Sequence, residues 1–151
     1  MSTSLTTAQE LLAVLPLFNR IMAVELRQET GDDTTMPQFR VLTYLAEAPL
    51  TMSDIARKRH VSFQSAGELV QALVERGWVI RMPDPSDRRQ SLLHLTEAGL
   101  AQYQQVQHHM LERLTSFMDQ LDEDEKTTIQ QALQSLHRVL VEEVTEHVER
   151  N

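Results

Sequence analysis

The chain has 151 residues, enough to bury one good hydrophobic core, so a single domain with appended helices is expected. It is 41% hydrophobic and 24% charged with no biased tract, which excludes a disordered chain, and zero cysteines exclude disulfides, thiolate metal sites and thiol redox switches. The formal net charge of −8 argues against phosphate binding, but residues 57–92 hold seven Lys+Arg and four Asp+Glu, net +3, against seven and eighteen elsewhere, net −11.

The opening MSTSLTTAQELLAVLPLF has no basic start, and Gln9, Glu10 and Pro16 interrupt its apolar part. It reads as neither a signal peptide nor a membrane span, so a cytoplasmic protein without a membrane partner is expected. Thr7 and Glu10 predict a capping box ahead of Leu11, Leu12, Leu15, Phe18 and Met22 at helical spacing, with Pro16 kinking the helix or delaying its start. After the loop TGDDTTM, Thr35 and Gln38 cap a helix carrying Phe39, Leu42 and Leu45, which has ended by Pro49.

Two closely spaced helices follow. Thr51 caps MSDIARKRH, whose Met52, Ile55 and Ala56 share a face, and Ser62 caps a helix carrying Ala66, Leu69, Val70 and Leu73, with only HVS between them. Gly77 suits the left-handed position that closes the second helix, and WVIRM and SLLHL then read as short strands. Pro83, Asp84, Pro85, Ser86 and Asp87 are turn formers expected to break the ladder, so Arg88 and Arg89 project from the tip of a hairpin wing or from its return strand.

Thr96, ahead of EAG, opens a long helix through Leu100, Tyr103, Val106, Met110, Leu114 and Phe117. Asp122 and Glu125 cap the last one, with Ile129, Leu133, Leu136, Leu140, Val144 and Val148 on its stripe. These apolar faces, with that of the first helix, exceed what a small winged unit covers, which predicts a symmetric homodimer. The expected fold is mainly α with a small β-hairpin wing. Residues 36–95 form a winged helix-turn-helix, and the N- and C-terminal helices, 5–30 and 97–149, form a dimerisation region.

The stretch DPSDRRQSLLHLTEAG resembles the wing of the MarR family of multiple-antibiotic-resistance-type transcriptional regulators, and PQFRVL and IARKRHVSFQSAGELVQALVERGWVIR extend the resemblance through the helices before it. The resemblance covers nearly the whole chain. It implies a homodimeric regulator, a repressor, that binds a pseudo-palindromic operator in double-stranded DNA, needs no cofactor, and is released by a small phenolic or other amphipathic effector. By the same resemblance Asp87 orients the wing arginines, and Arg88 and Arg89 reach the minor groove, where a guanidinium reads groove width. The helix opened by Ser62 is then the recognition helix, with Phe63, Gln64, Ser65 and Gly67 nearest the major groove and Gln64 suited to adenine. The N-termini capped by Thr51 and Ser62 lie where phosphates bind. Phe18, Met22, Tyr44 and Met52 are the effector-lining candidates.

The chain departs from the family pattern at Glu68 and Ser91, where basic residues are common, at His60, which stands for a turn glycine, and at Gly67, which weakens the recognition helix by about 1 kcal/mol relative to alanine.

Several residues have a second reading. Arg88 and Arg89 taken alone are a solvated turn paired with Asp84 and Asp87; their register with the helix pair favours the groove. Arg57 to His60 suit both a helix C-terminus and phosphate contact. Phe63 serves equally as an internal contact, whereas for the four effector candidates the helical pattern favours ordinary core packing. His108 and Glu112 share a helix face, but without HExxH, a third ligand or cysteine no metal site is expected. There is no GxSxG, P-loop or GxGxxG, so no enzyme is expected. The competing reading is a helical dimerisation or protein-interaction module without specific DNA binding, for which removing the wing arginines leaves DNA affinity unchanged.

Overall fold

The structure is a computed structural model that describes residues 3–31 and 34–149, with side chains as far as Val144. Asp32 and Asp33 of the predicted loop, and the Val148 side chain of the last stripe, lie outside the described residues. The order is α1 (Thr3–Thr30), α2 (Met36–Glu47), β1 (Leu50–Thr51), α3 (Met52–Arg59), α4 (Phe63–Glu75), β2 (Val79–Pro83), β3 (Ser91–Leu95), α5 (Glu97–Met118) and α6 (Glu123–Glu149). None of the described helices is long and apolar enough to cross a membrane.

The chain divides into two compact units, residues 1–110 and 111–151. In the first, Leu26 of α1, Phe39, Val41, Leu42 and Leu45 of α2, Ile55 of α3, Ala66, Val70 and Leu73 of α4, Val79 and Leu93 of the sheet and Val106 of α5 form one core. Helices α2, α3 and α4 contribute the faces that their apolar spacing predicts, whereas α1 contributes Leu26, beyond its predicted stripe, and leaves Leu11, Leu12, Leu15 and Phe18 exposed. The Phe39 and Tyr103 rings stack with centroids 5.8 Å apart, joining α2 to α5.

Arg76 ties the end of α4 to the chain entering α2. Its guanidinium donates to the buried Thr34 hydroxyl and lies 4.8 Å from the Trp78 ring centre. Glu29 near the end of α1 binds α5, its carboxylate meeting His109 and accepting from Gln105 Nε2 at 3.2 Å.

The second unit holds the end of α5 and α6. Asp122 and Glu125 form the predicted capping box, with Glu125 N–H donating to Asp122 at 2.8 Å and Asp122 N–H to Glu125 at 3.0 Å. Leu133, Val139, Leu140, Val141 and Val144 of α6 are exposed.

Four expectations are corrected. Helix α1 begins at Thr3, so Thr7 is internal to it: its hydroxyl donates to the Thr3 carbonyl at 2.8 Å and caps nothing. Pro16 does not delay the start of α1 but sits inside it, at the cost of the hydrogen bond its missing N–H would give. The hairpin is part of a three-stranded antiparallel sheet of order β1-β3-β2, because Leu50 and Thr51 pair with Leu93 and Leu92. Two residues are too few to show strand alternation. Pro83 does not end the ladder; it forms the last rung, opposite Ser91, on an edge strand that tolerates a missing donor.

Candidate nucleic-acid interface

The turn between α3 and α4 is set by two consecutive caps. His60 closes α3 in the left-handed region at φ 52°, its N–H donating to the Arg57 carbonyl at 3.2 Å and the Val61 N–H to Ala56 at 3.1 Å. Ser62 then caps α4, accepting from the Ser65 N–H at 3.0 Å. The three residues HVS therefore suffice to turn the chain. Gly77 closes α4 in the same way at φ 75°, with Gly77 N–H on Val74 at 2.9 Å and Trp78 N–H on Leu73 at 3.0 Å, and delivers the chain into β2.

Helix α4 buries Ala66, Val70 and Leu73 and leaves Phe63, Gln64, Ser65 and Glu68 exposed, Phe63 by 63%. A Cβ on Gly67 would meet nothing within 4 Å, so no intramolecular packing requires glycine there. The Ser65 hydroxyl accepts from Ser62 Oγ at 3.0 Å, which makes it part of the cap as well as of the outer face.

The two helix N-termini differ as anion sites. At α3, Thr51 is in a capping box: its hydroxyl accepts from Asp54 N–H at 3.2 Å and its own N–H donates to the Asp54 carboxylate at 3.0 Å. Burial raises the Asp54 pKa, but the Thr51 N–H and hydroxyl and the Arg57 guanidinium outweigh it and hold the carboxyl below its ordinary value. A carboxylate thus already occupies the end of α3 that the sequence offered to phosphate, whereas α4 has no acidic residue in its first turn.

The wing loop is built on two aspartates. Asp84 is covered by its own loop and accepts from Ser86 Oγ at 2.7 Å, Ser86 N–H at 2.9 Å and Gln90 Nε2 at 2.9 Å. These donors, the Ser86 hydroxyl foremost, hold its pKa below the ordinary value. Asp87 accepts from Arg89 Nε at 3.1 Å and Arg89 N–H at 3.0 Å, and the guanidinium holds the Asp87 pKa down. The Arg89 side chain is nevertheless 91% exposed, oriented but not shielded, and Arg88 is exposed beside it. The sequence reading missed Asp84 as the organiser, treating it as an ion-pair partner of the arginines; DPS, an Asx-turn pattern, carried the signal.

The basic segment is not a uniform patch. Arg76 is spent inside, Arg57 pairs with Asp54 at 3.2 Å, Lys58 lies 5.4 Å from the Tyr44 ring centre, and Arg81 donates to Gln71 at 3.1 Å. Arg57, Lys58 and Arg81 are exposed but each held by a neighbour, and the wing pair stands out by reach, with the Arg89 side chain 91% exposed although it is paired with Asp87. Phe63 of α4 and Arg89 of the wing line one cleft of about 250 Å³, together with Thr51, Met52, Arg81 and Ser91.

The four effector candidates lie apart. Met22 is in the core, Phe18 is 40% exposed on α1, Tyr44 packs against the core, and Met52 lines the wing cleft. A second cleft of about 620 Å³ lies between α1, α2 and α3, and Arg20, Arg40 and Arg59 line it with Pro16, Asn19 and Met36. Arg59 Nε is buried and has no hydrogen-bond partner. Among the described residues no group of three or more His, Asp or Glu side chains is arranged to hold a metal.

A short turn between two helices, followed by a wing carrying outward arginines, defines a winged helix-turn-helix protein. A sequence profile of the MarR family matches residues 32–90. The HTH-type transcriptional regulator YfiV of Bacillus subtilis is 30% identical over 109 residues, 72% of this chain and 68% of YfiV. A Thauera aromatica protein, named as a putative transcriptional regulatory protein for the hcr operon, is 27% identical over 110 residues, of which the match spans 66% of its length and 72% of this chain. The crystal structure of Rv1404 from Mycobacterium tuberculosis superposes with a TM-score of 0.83 at 26% identity, covering 92% of this chain and 95% of that one. The chain belongs to the MarR family of winged-helix transcriptional regulators.

Proposed function

We propose that the protein is a homodimeric repressor that binds a pseudo-palindromic DNA operator and is released by a small-molecule effector. The observation that carries this reading is the shared cleft of Phe63 and Arg89, which brings the exposed start of α4 and the wing arginines onto one side of the winged unit. In a dimer two such units meet successive major grooves about 34 Å apart, with the wings at the adjoining minor grooves. The acidic remainder repels phosphate and restricts DNA to that side.

A second copy covers the apolar faces of α1 and α6. Leu5, Leu12, Val14 and Leu17 on one helix and Leu133, Leu140 and Val144 on the other are each more than half exposed, far more apolar surface than a stable monomer leaves in contact with water. The effector occupies the cleft between α1, α2 and α3. Its three guanidiniums make the ligand a small anion with an apolar body, a narrower class than a phenolic or amphipathic molecule. Binding there biases the placement of α3 and α4, and operator affinity falls by the ligand's preference for the non-binding form.

Selection of duplexes from a random pool by the purified protein tests the reading. An enriched inverted repeat, bound with an affinity that falls steeply with salt, is expected. Failure to enrich any sequence across several salt concentrations would leave the protein-interaction module as the better description.

A further inference from the structure

The outward face of α4 carries no cation. Gln64, Gly67, Glu68 and Gln71 fall at spacings that share one side of the helix, opposite the buried Ala66, Val70 and Leu73; Phe63, three and seven residues before Ala66 and Val70, is exposed in the first turn at the edge of the buried face, and no Lys or Arg occurs anywhere in Phe63–Glu75. The commonest specific contact in a major groove, Arg or Lys on guanine O6 and N7, has no source on this helix. Gln71 is already engaged, accepting from Arg81 at 3.1 Å and donating to Glu75 at 3.2 Å. The free groups are a phenyl ring exposed by 63%, the Gln64 amide and the exposed Glu68 carboxylate.

We infer that α4 reads its operator through a thymine methyl packed on Phe63 and a cytosine amino group donated to Glu68. This rests on the DNA-binding reading above. Among base edges in the major groove only the thymine C5-methyl is apolar, and Met52 and Leu93 line the same cleft as Phe63 and make it apolar beside the ring. The Glu68 carboxylate accepts hydrogen bonds and donates none, and the cytosine N4 amino group supplies the matching donor, while the Gln64 amide accepts from adenine N6 and donates to adenine N7. Gly67 leaves open space between them, which lets the bases approach the helix closely. A carboxylate facing DNA for any other reason only repels phosphate, so the two roles differ in what its removal does.

The test uses the full-length protein and its selected duplex, with each thymine of a half-site replaced in turn by deoxyuridine, which removes the methyl and keeps every hydrogen bond. One such replacement should weaken wild-type binding about fourfold per half-site, the effect of one buried methyl, and Phe63→Ala should bind the thymine and uracil duplexes alike. Glu68→Ala should lose its preference for cytosine at one half-site position by about fivefold or more while affinities at the other positions hold. Equal affinity of the wild type for all uracil duplexes, or a uniform gain in affinity of Glu68→Ala for every sequence, would overturn the inference and leave the regulator intact. Absence of any selected duplex would overturn both.

Discussion

The Trp78 carbonyl oxygen lies 2.0 Å from where a Cβ on Gly99 would stand, so the first turn of α5 rests directly on the backbone that leaves α4. Thr96 fixes the contact: its hydroxyl donates to the Gly77 carbonyl at 2.6 Å and accepts from Gly99 N–H at 3.0 Å, and its own N–H donates to Trp78 O at 3.0 Å. The returning wing strand, the end of α4 and the start of α5 thereby meet at one point. Gly99→Ala is expected to lower stability by about 2–3 kcal/mol, because the clash is with backbone rather than with a side chain that can rotate away. Urea unfolding checks this, and a loss below about 0.5 kcal/mol would mean that α5 shifts freely.

His60 shows the opposite case. It occupies the left-handed region at φ 52°, which costs an L-residue about 1–2 kcal/mol, partly offset because glycine loses more chain entropy on folding. His60→Gly should therefore raise stability by about 0.5–1 kcal/mol in thermal or urea unfolding. A destabilised variant would show that the imidazole makes a contribution beyond its backbone.

Asp84 holds the wing loop through Ser86 and Gln90. Asp84→Ala should leave the core and the unfolding transition nearly unchanged while amide exchange at Ser86 and Gln90 rises, and DNA affinity should fall with the loosened arginines. Unaltered exchange at those two amides would refute this role. Protonation acts in the same sense. The Asp84 carboxyl sits below its ordinary value of 3.8 in the folded chain, so its contribution is complete above that pH and fades as pH falls through the lower folded value.

The wing and the recognition helix should fail differently. Arg89→Ala is expected to weaken binding across all sequences and to reduce the slope of log affinity against log salt by about 1. Gln64→Ala should instead change preference at particular base pairs with the salt slope held. Binding isotherms at three salt concentrations on the selected and a scrambled duplex separate the two, and identical profiles for both variants would contradict the division of labour.

What the sequence determined by itself is local. The Thr35 and Gln38 box, the Thr51 and Ser62 caps, the Asp122 box and the glycine at position 77 are contacts within a few residues, so spacing and residue type suffice to read them. The order of helix, turn, helix and wing follows from those signals, as do the outward arginines of the wing. Tertiary structure alone decided the rest. It paired Leu50 and Thr51 with a strand some forty residues later, spent Arg76 on Thr34 and Trp78, required a residue without a side chain at Gly99, and brought Arg20, Arg40 and Arg59 to one cleft. Contacts of that range leave no periodic trace in a single chain, because they depend on where distant backbones stop rather than on what their neighbours are.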